Sequence, residues 1–412
     1  MKRLPYYSIP LILLILFASS SAIKKESPKT KHLSKSLTTV KTYADTAKVY
    51  MTTDLSPEGL MAVYQALGRE AKGKVAVKLH SGEPGGHHFL TPDFIKDLVQ
   101  TVDGTIVECN TAYGGSRAST AMHKQVLEDH GFTAIAPTDI MDEDGYVGLP
   151  VPNGTNITED FVGSHFDNYD FFIVLSHFKG HAMGGFGGAI KNMSIGIAAR
   201  AGKCWIHTAG NSMSSMWGGA QDPFLESMAE AAFAVDNAMG DSIIYISVMN
   251  NLSVDCDCDN SPAAPTMADI GILASLDPVA LDQACVDLVY AAHDGHDLIE
   301  RMESRNGIHT LEHAEDIGFG TRKYNLLKVS NTAIQKNEIS EELIYPNPAS
   351  SGVNIPNFSK YDYVHVVDML GKLIARYESK PEIHIQNLPS GRYVMQFISG
   401  DAVIRQASLM KE

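Results

Sequence analysis

The sequence predicts an α/β body, a mostly parallel sheet covered by helices, followed by a small all-β sandwich domain. Three observations carry this reading. Between about Val49 and Thr310, short β-branched runs alternate with helix-length segments that are apolar on one face. The strand runs lack strict polar–apolar alternation, as strands covered on both sides do. From about Leu343 the helix pattern gives way to short strands separated by turn signals.

Taken in order, Val75–Leu79 is the first clear β-branched run of the body. Thr91-Pro92 then caps and starts a helix with Phe94, Ile95, Leu98 and Val99 on one face. Thr105–Cys109 is the next strand, and Ser119–His130 a helix closed by Gly131. Ala134–Ala136 and Phe171–Leu175 read as short buried strands, with Asp139–Asp167 between them as a long loop or a small β excursion. Phe224–Met239 is a helix; Ser242–Met249 and Asp269–Ala274 are strands. Asp277-Pro278 starts a helix with Leu281, Cys285, Leu288 and Val289 on one side, which places Cys285 in the core. The pattern stops around Arg322–Ser340. Short strands follow at Val364–Asp368, Ile383–Ile385, Tyr393–Ile398 and Ala402–Ser408, the spacing of an Ig-like sandwich.

The N-terminus reads as a signal peptide over residues 1–22. Lys2 and Arg3 precede the apolar run Ile9–Phe17, and Ser20 and Ala22 suit a cut near Ala22–Ile23. That run is shorter than the roughly 20 residues a bilayer demands. No later stretch is longer, so no transmembrane segment is expected in the mature chain. Residues 23–48 read as a polar leader, 49–330 as the body, 331–342 as a linker and 343–412 as the sandwich. The formal net charge of −15 over 412 residues lies almost wholly in the body. It argues against non-specific nucleic-acid binding.

Residues able to do chemistry gather where strands end. Ser176–Gly196 directly follows a strand. It holds His177, Lys179 and His181, then Gly184, Gly185, Gly187 and Gly188, then a helix bearing Lys191 and Asn192. A glycine loop leading into a helix N-terminus favours an anion, because backbone N–H groups point outward there. The Walker A order is absent, and a plain steric crossover is the competing reading. Lys78 and His80 follow the first body strand; Glu108, Cys109 and Asn110 end the next, before Tyr113–Arg117. Cys256 and Cys258, among Asp255, Asp257 and Asp259, follow a third strand and sit in a loop. Two thiols with three carboxylates admit a metal or redox site, a disulfide, or unpaired structural thiols. Cys204, beside Trp205 and His207, stays open between core and site. Ligand sites of open α/β sheets lie beyond the carboxyl ends of strands, and all these groups share that position.

Two resemblances add to this. The tail resembles the C-terminal sorting domain of the type IX secretion system of Bacteroidota, through Tyr345-Pro346-Asn347-Pro348, Val366–Lys372, Leu388–Tyr393 and Lys411. That likeness implies Sec export to the periplasm, then outer-membrane crossing by the type IX machinery to a secreted or cell-surface destination. The body resembles the domain-of-unknown-function 362 family, through Lys179-Gly180-His181, Gly188–Asn192 and Ser275–Asp282. Many relatives carry a ferredoxin-like insert with two four-iron four-sulfur clusters. Here Gly218–Pro223 runs straight into a helix without a Cys-x₂-Cys-x₂-Cys run, so such clusters are not expected.

The resulting expectation is an exported, enzyme-like protein binding a small anionic or metal-bound ligand. Lys191, Asn192, Gly187 and Gly188 would hold the anion, and Lys78, His80 and Lys179 would line the cleft. His177, His181, Cys256 and Cys258 would serve as metal ligands or acid–base groups. A secreted ligand-binding protein without catalysis, or a surface structural protein, is the alternative.

Overall fold

The structure, a computed structural model, describes residues 31–32, 40–329, 342–368, 372–400 and 402–412. The expected signal peptide and nearly all of the expected linker lie outside the described residues.

One eight-stranded sheet organises the body. Its strands are β1 (Ala47–Thr52), β2 (Val75–Lys78), β3 (Gly104–Glu108) and β4 (Thr138–Ile140). Then come β5 (Phe171–His177), β6 (Ile243–Met249), β7 (Gly271–Ser275) and β8 (Tyr324–Lys328). The spatial order is β8-β1-β7-β6-β5-β2-β3-β4. Only β7 is reversed, pairing antiparallel with β6 and β1. The other neighbours are parallel, so β2, β3, β5 and β6 end at one edge.

Helices cover both faces. On one, α1 (Pro57–Ala66), α2 (Pro92–Thr101) and α3 (Thr120–Asp129) pack Leu60, Ile95, Leu98 and Leu127 against Val77, Ile106, Ile173 and Leu175. The other face carries α4 (Ala189–Ile197), α6 (Gln221–Met239), α7 (Pro278–Ala291) and the short helix His309–Asp316. There Ile190, Phe233, Val286 and Leu311 meet Val107, Phe172, Val174 and Tyr245. Successive residues of β5 thus serve opposite layers, which is why its sequence shows no polar alternation.

Three details depart from the sequence reading. Ala134–Ala136 is not a strand: a 3₁₀ turn covers Phe132–Ala134, and pairing starts after Pro137, at Thr138. The pattern does not stop at Arg322, because β8 pairs along β1 as an edge strand. Leu326 and Leu327 stay more than a third exposed there, so β8 lacks a buried strand's apolar signature. The leader is anchored before residue 48: Lys41 pairs with Asp236 at 2.7 Å, and Tyr43 and Tyr245 both donate to the same carboxylate. The uncertain stretch 139–167 contains an antiparallel pair, Tyr146–Pro150 with Glu159–Gly163.

The tail, described by itself, is antiparallel. Four strands pair in the order Leu373–Glu378, Tyr363–Val367, Gly391–Ser399, Ala402–Lys411, and Gly352–Asn354 pairs with Glu382–His384. Val353, Val364, Val366, Met395 and Phe397 fill its core.

Candidate functional site

The glycine-rich segment after β5 is a folded hairpin. Lys179–His181 pairs antiparallel with Gly185–Gly187 before α4 begins. The N-terminus of α4 is already occupied: Asp282 of α7 accepts the N–H groups of Ala189 at 2.7 Å and Ile190 at 2.9 Å. The anion expected there is therefore the protein's own carboxylate. Burial raises the Asp282 pKa to about 7 in spite of those two bonds. Gly188 is required by this contact, since a Cβ would lie 2.3 Å from Asp282 Oδ1.

Capped in this way, α4 presents its first turns to the strand ends. Asn192 is fully engaged there. Its amide donates to the carbonyls of Lys78 and Leu175 and to Ser176 Oγ, and its Oδ1 accepts Lys78 Nζ at 3.0 Å. It staples α4 to β2 and β5. Lys78 also donates to the Leu79 carbonyl; its burial, partly offset by Glu108, lowers its pKa to about 8. A Cβ at Gly196 would sit 2.6 Å from Lys78 Cε, so this glycine leaves room for the lysine tip as it passes α4. Glu108 is fully buried, which would raise its pKa. Lys78, His123 and Arg117 outweigh that and hold it well below the usual carboxylate range.

A cavity of about 460 Å³ opens over these strand ends. It is lined by Lys78, His80, His177, His181, Gly187, Gly188, Lys191, Asn192, Cys256 and Cys258. The sequence reading thus brought ten of its eleven site residues to one place. Lys179 is the exception, buried behind the wall, where Nζ donates to Asp257 Oδ1 at 2.7 Å and to the His88 carbonyl at 3.0 Å.

The histidines divide by what their nitrogens already do. His177 has Asp257 Oδ2 on Nδ1 and the Asn250 carbonyl on Nε2, both at 2.8 Å. Both ring nitrogens therefore already face acceptors, leaving neither open to a metal or to a substrate. His80 lies between the Gly82 N–H and Arg117, and burial next to Arg117 drives its pKa well down. His181 accepts the Gly184 N–H on Nδ1 at 2.9 Å. It too is held neutral, by burial first and by Lys191 next, so Nε2 carries the proton.

Lys191 differs from every other cation here. Among the described residues no acceptor meets its ammonium, and burial together with Lys78 and Arg117 lowers its pKa to about 8. Lys203 and Arg117 also line the cavity, giving four cations against the carboxylates Glu108 and Asp257. Arg117 spends its guanidinium on Glu83, Glu108 and Tyr113. Met183, Ile195, Met216, Trp217 and Phe224 add an apolar wall.

Cys256 and Cys258 are joined in a disulfide, one of the three states their sequence allowed. Their Cα atoms are 5.2 Å apart, inside the ordinary range of about 4.4–6.8 Å. An i,i+2 pair is therefore not the poor match its sequence spacing implies. The metal-ligand role expected of these cysteines requires the reduced pair. A ring nitrogen of His181 and the two sulfurs lie within 4.8 Å of one another. Cys109, Cys204 and Cys285 are free and buried.

The sequence reading did not place Lys203, His207 or the apolar wall in the site. Lys203 and His207 come from α5 (Arg200–His207), whose approach depends on the whole fold. Asp257 had a signal, as the residue between two cysteines, but its partners Lys179 and His177 are 78 and 80 residues away.

Fold and site define a class: an α/β protein with a cationic cavity at the carboxyl ends of its parallel strands, carrying a separate β domain. The chain belongs to the DUF362 family, a domain of unknown function, whose family model matches residues 75–287. Residues 343–411 match the secretion system C-terminal sorting domain. This tail marks a protein secreted or displayed at the cell surface through the type IX system. Among curated proteins nothing matches. Among solved structures the chain is similar to the lactate racemase apoprotein from Thermoanaerobacterium thermosaccharolyticum. Identity is 13%, the TM-score is 0.31, and 49% of this chain and 50% of that one are covered. No helix among the described residues is long and apolar enough to cross a membrane.

Proposed function

We propose that this is an exported protein that captures a small organic anion in the strand-end cavity, with Lys191 receiving the anionic group. The carrying observation is the partnerless ammonium of Lys191 in a cavity where cations outnumber carboxylates, within a chain of net charge −15. An uncompensated charge in a recess is costly unless a ligand completes it. The apolar wall suits the carbon skeleton of a carboxylate or organic phosphate. Export would follow cleavage near Ala22–Ile23, Sec passage to the periplasm and type IX crossing of the outer membrane.

Calorimetric titration of the mature protein with short carboxylates and organic phosphates tests this. At least one should bind, and Lys191→Met should weaken it at least about tenfold. A panel that gives no heat with the wild type, or equal affinity in Lys191→Met, removes the reading. A metal-bound ligand is the second form, favoured by the proximity of His181 to the two sulfurs. It predicts stoichiometric metal after reducing, anaerobic purification and none in Cys256→Ser/Cys258→Ser; metal-free wild type under those conditions removes it.

A further inference from the structure

We propose that the Cys256–Cys258 disulfide is redox-active and that its substrate is a small thiol carrying an anionic group. This rests on the anion-binding reading above and adds the reacting bond.

A disulfide enclosing one residue restricts the unfolded chain little, so it contributes little as a structural clamp. The clamping is done by that one residue. Asp257 is buried and takes Lys179 at 2.7 Å and His177 at 2.8 Å. Arg301 holds the neighbouring Asp255 at 3.0 Å. The loop therefore keeps its place when the S–S bond opens.

Access and polarity fit exchange chemistry. Both cysteines line the cationic cavity and also an adjoining cleft of about 410 Å³ that includes Glu83, Tyr113 and Asp259. The cleft side is acidic, so an anionic thiol is favoured from the Lys191 side. A ring nitrogen of His181 lies within 4.8 Å of the two sulfurs, so an imidazole flanks the bond that opens.

The step balances without a further reagent. A substrate thiolate attacks one cysteine sulfur, the S–S bond breaks, and the other cysteine leaves as a thiolate that takes up a proton. A second substrate thiolate attacks the substrate sulfur of the mixed disulfide and releases the second cysteine. Two small thiols are oxidised to one small disulfide, and the protein disulfide is reduced to a dithiol.

The test uses the mature full chain under native conditions with 3-mercaptopropionate, 2-mercaptoethanol and cysteamine, compared per thiolate. Released cysteine is followed by differential alkylation and mass spectrometry, and propionate binding is titrated alongside. The anionic thiol should react about tenfold faster than the neutral one, the reverse of the order that a net charge of −15 imposes on an ordinary surface disulfide. Lys191→Met should bring that ratio to about one, and Cys256→Ser/Cys258→Ser should release nothing. If none of the three thiols opens the bond while propionate still binds, the redox inference is wrong and the anion cavity stands. If all three react equally and propionate does not bind, the anion reading falls and takes the proposed substrate with it.

Discussion

Asp282 and Ala189 join two helices: the carboxylate of the first, in α7, accepts the N–H of the second, at the start of α4, at 2.7 Å. With the parallel bond to Ile190, it fixes the helix that carries Lys191 and Asn192. Asp282→Ala leaves two buried N–H groups without an acceptor. The expected loss is about 2–4 kcal/mol in urea unfolding, together with weaker anion binding, because the first turn of α4 loses its anchor. A variant of wild-type stability would show that the contact does not hold α4.

Asp160 invites the opposite result. It is fully buried in the strand Glu159–Gly163, and neither oxygen has a partner at hydrogen-bond geometry. Burial pushes its pKa up to about 8, against the pull of the Phe161 amide and of Lys203. The native state keeps this proton to about pH 8, whereas the unfolded chain releases it near pH 4. Between those values the native state binds more protons, so stability falls as pH rises. Asp160→Asn should therefore stabilise the protein more at pH 8.5 than at pH 5, by on the order of 3 kcal/mol. Denaturant midpoints that shift equally at both pH values would contradict this account.

The contrast between these two carboxylates shows what the sequence can carry. Asp282 stands in a motif that the sequence displays, yet its partners lie 92 and 93 residues away, so its capping role appears only once α4 and α7 are side by side. The parallel sheet was legible because buried strands such as Phe171–Leu175 are continuously apolar, and α2 because Thr91-Pro92 marks its start. Edge strand β8 was not, since half-exposed leucines resemble a linker. The site was legible in outline because parallel strands deliver their ends to one edge. Which histidine is free was not: His177 and His181 look alike in sequence and differ only in whether carbonyl and carboxylate, or an amide N–H, meets the ring.

Lys191 ties affinity to pH. Burial lowers its pKa to about 8, so below that value it is charged and able to attract an anion; above it the charge is lost. Affinity for a carboxylate should therefore be flat from pH 6 to 7 and fall above pH 8, approaching tenfold per unit. Lys191→Arg, which stays charged across this range, should bind without that decline. Calorimetry between pH 6 and 9.5 checks both. An affinity that holds steady to pH 9.5 in the wild type would mean that Lys191 does not receive the anion.

Asp257 and Asp255 flank Cys256 and separate a buried ion pair from a half-buried one. Asp257 faces Lys179 and His177, whose side chains are 1% and 3% exposed, whereas the Asp255–Arg301 pair is 22% and 23% exposed. Burial would raise the Asp257 pKa, but His177 and Lys179 outweigh it and hold the carboxyl well below its usual range. Its stabilisation is thus fully present above about pH 4 and is lost as pH falls below that. Asp257→Asn leaves a buried ammonium without its counter-charge and should cost about 3–5 kcal/mol at pH 7. Asp255→Asn should cost less than about 1 kcal/mol. The Asp257→Asn protein should also lose part of the acid-induced drop in stability below pH 4. Urea unfolding at pH 7 and pH 3.5 measures all three quantities, and equal losses for the two variants would show that the disulfide loop is not held by Asp257.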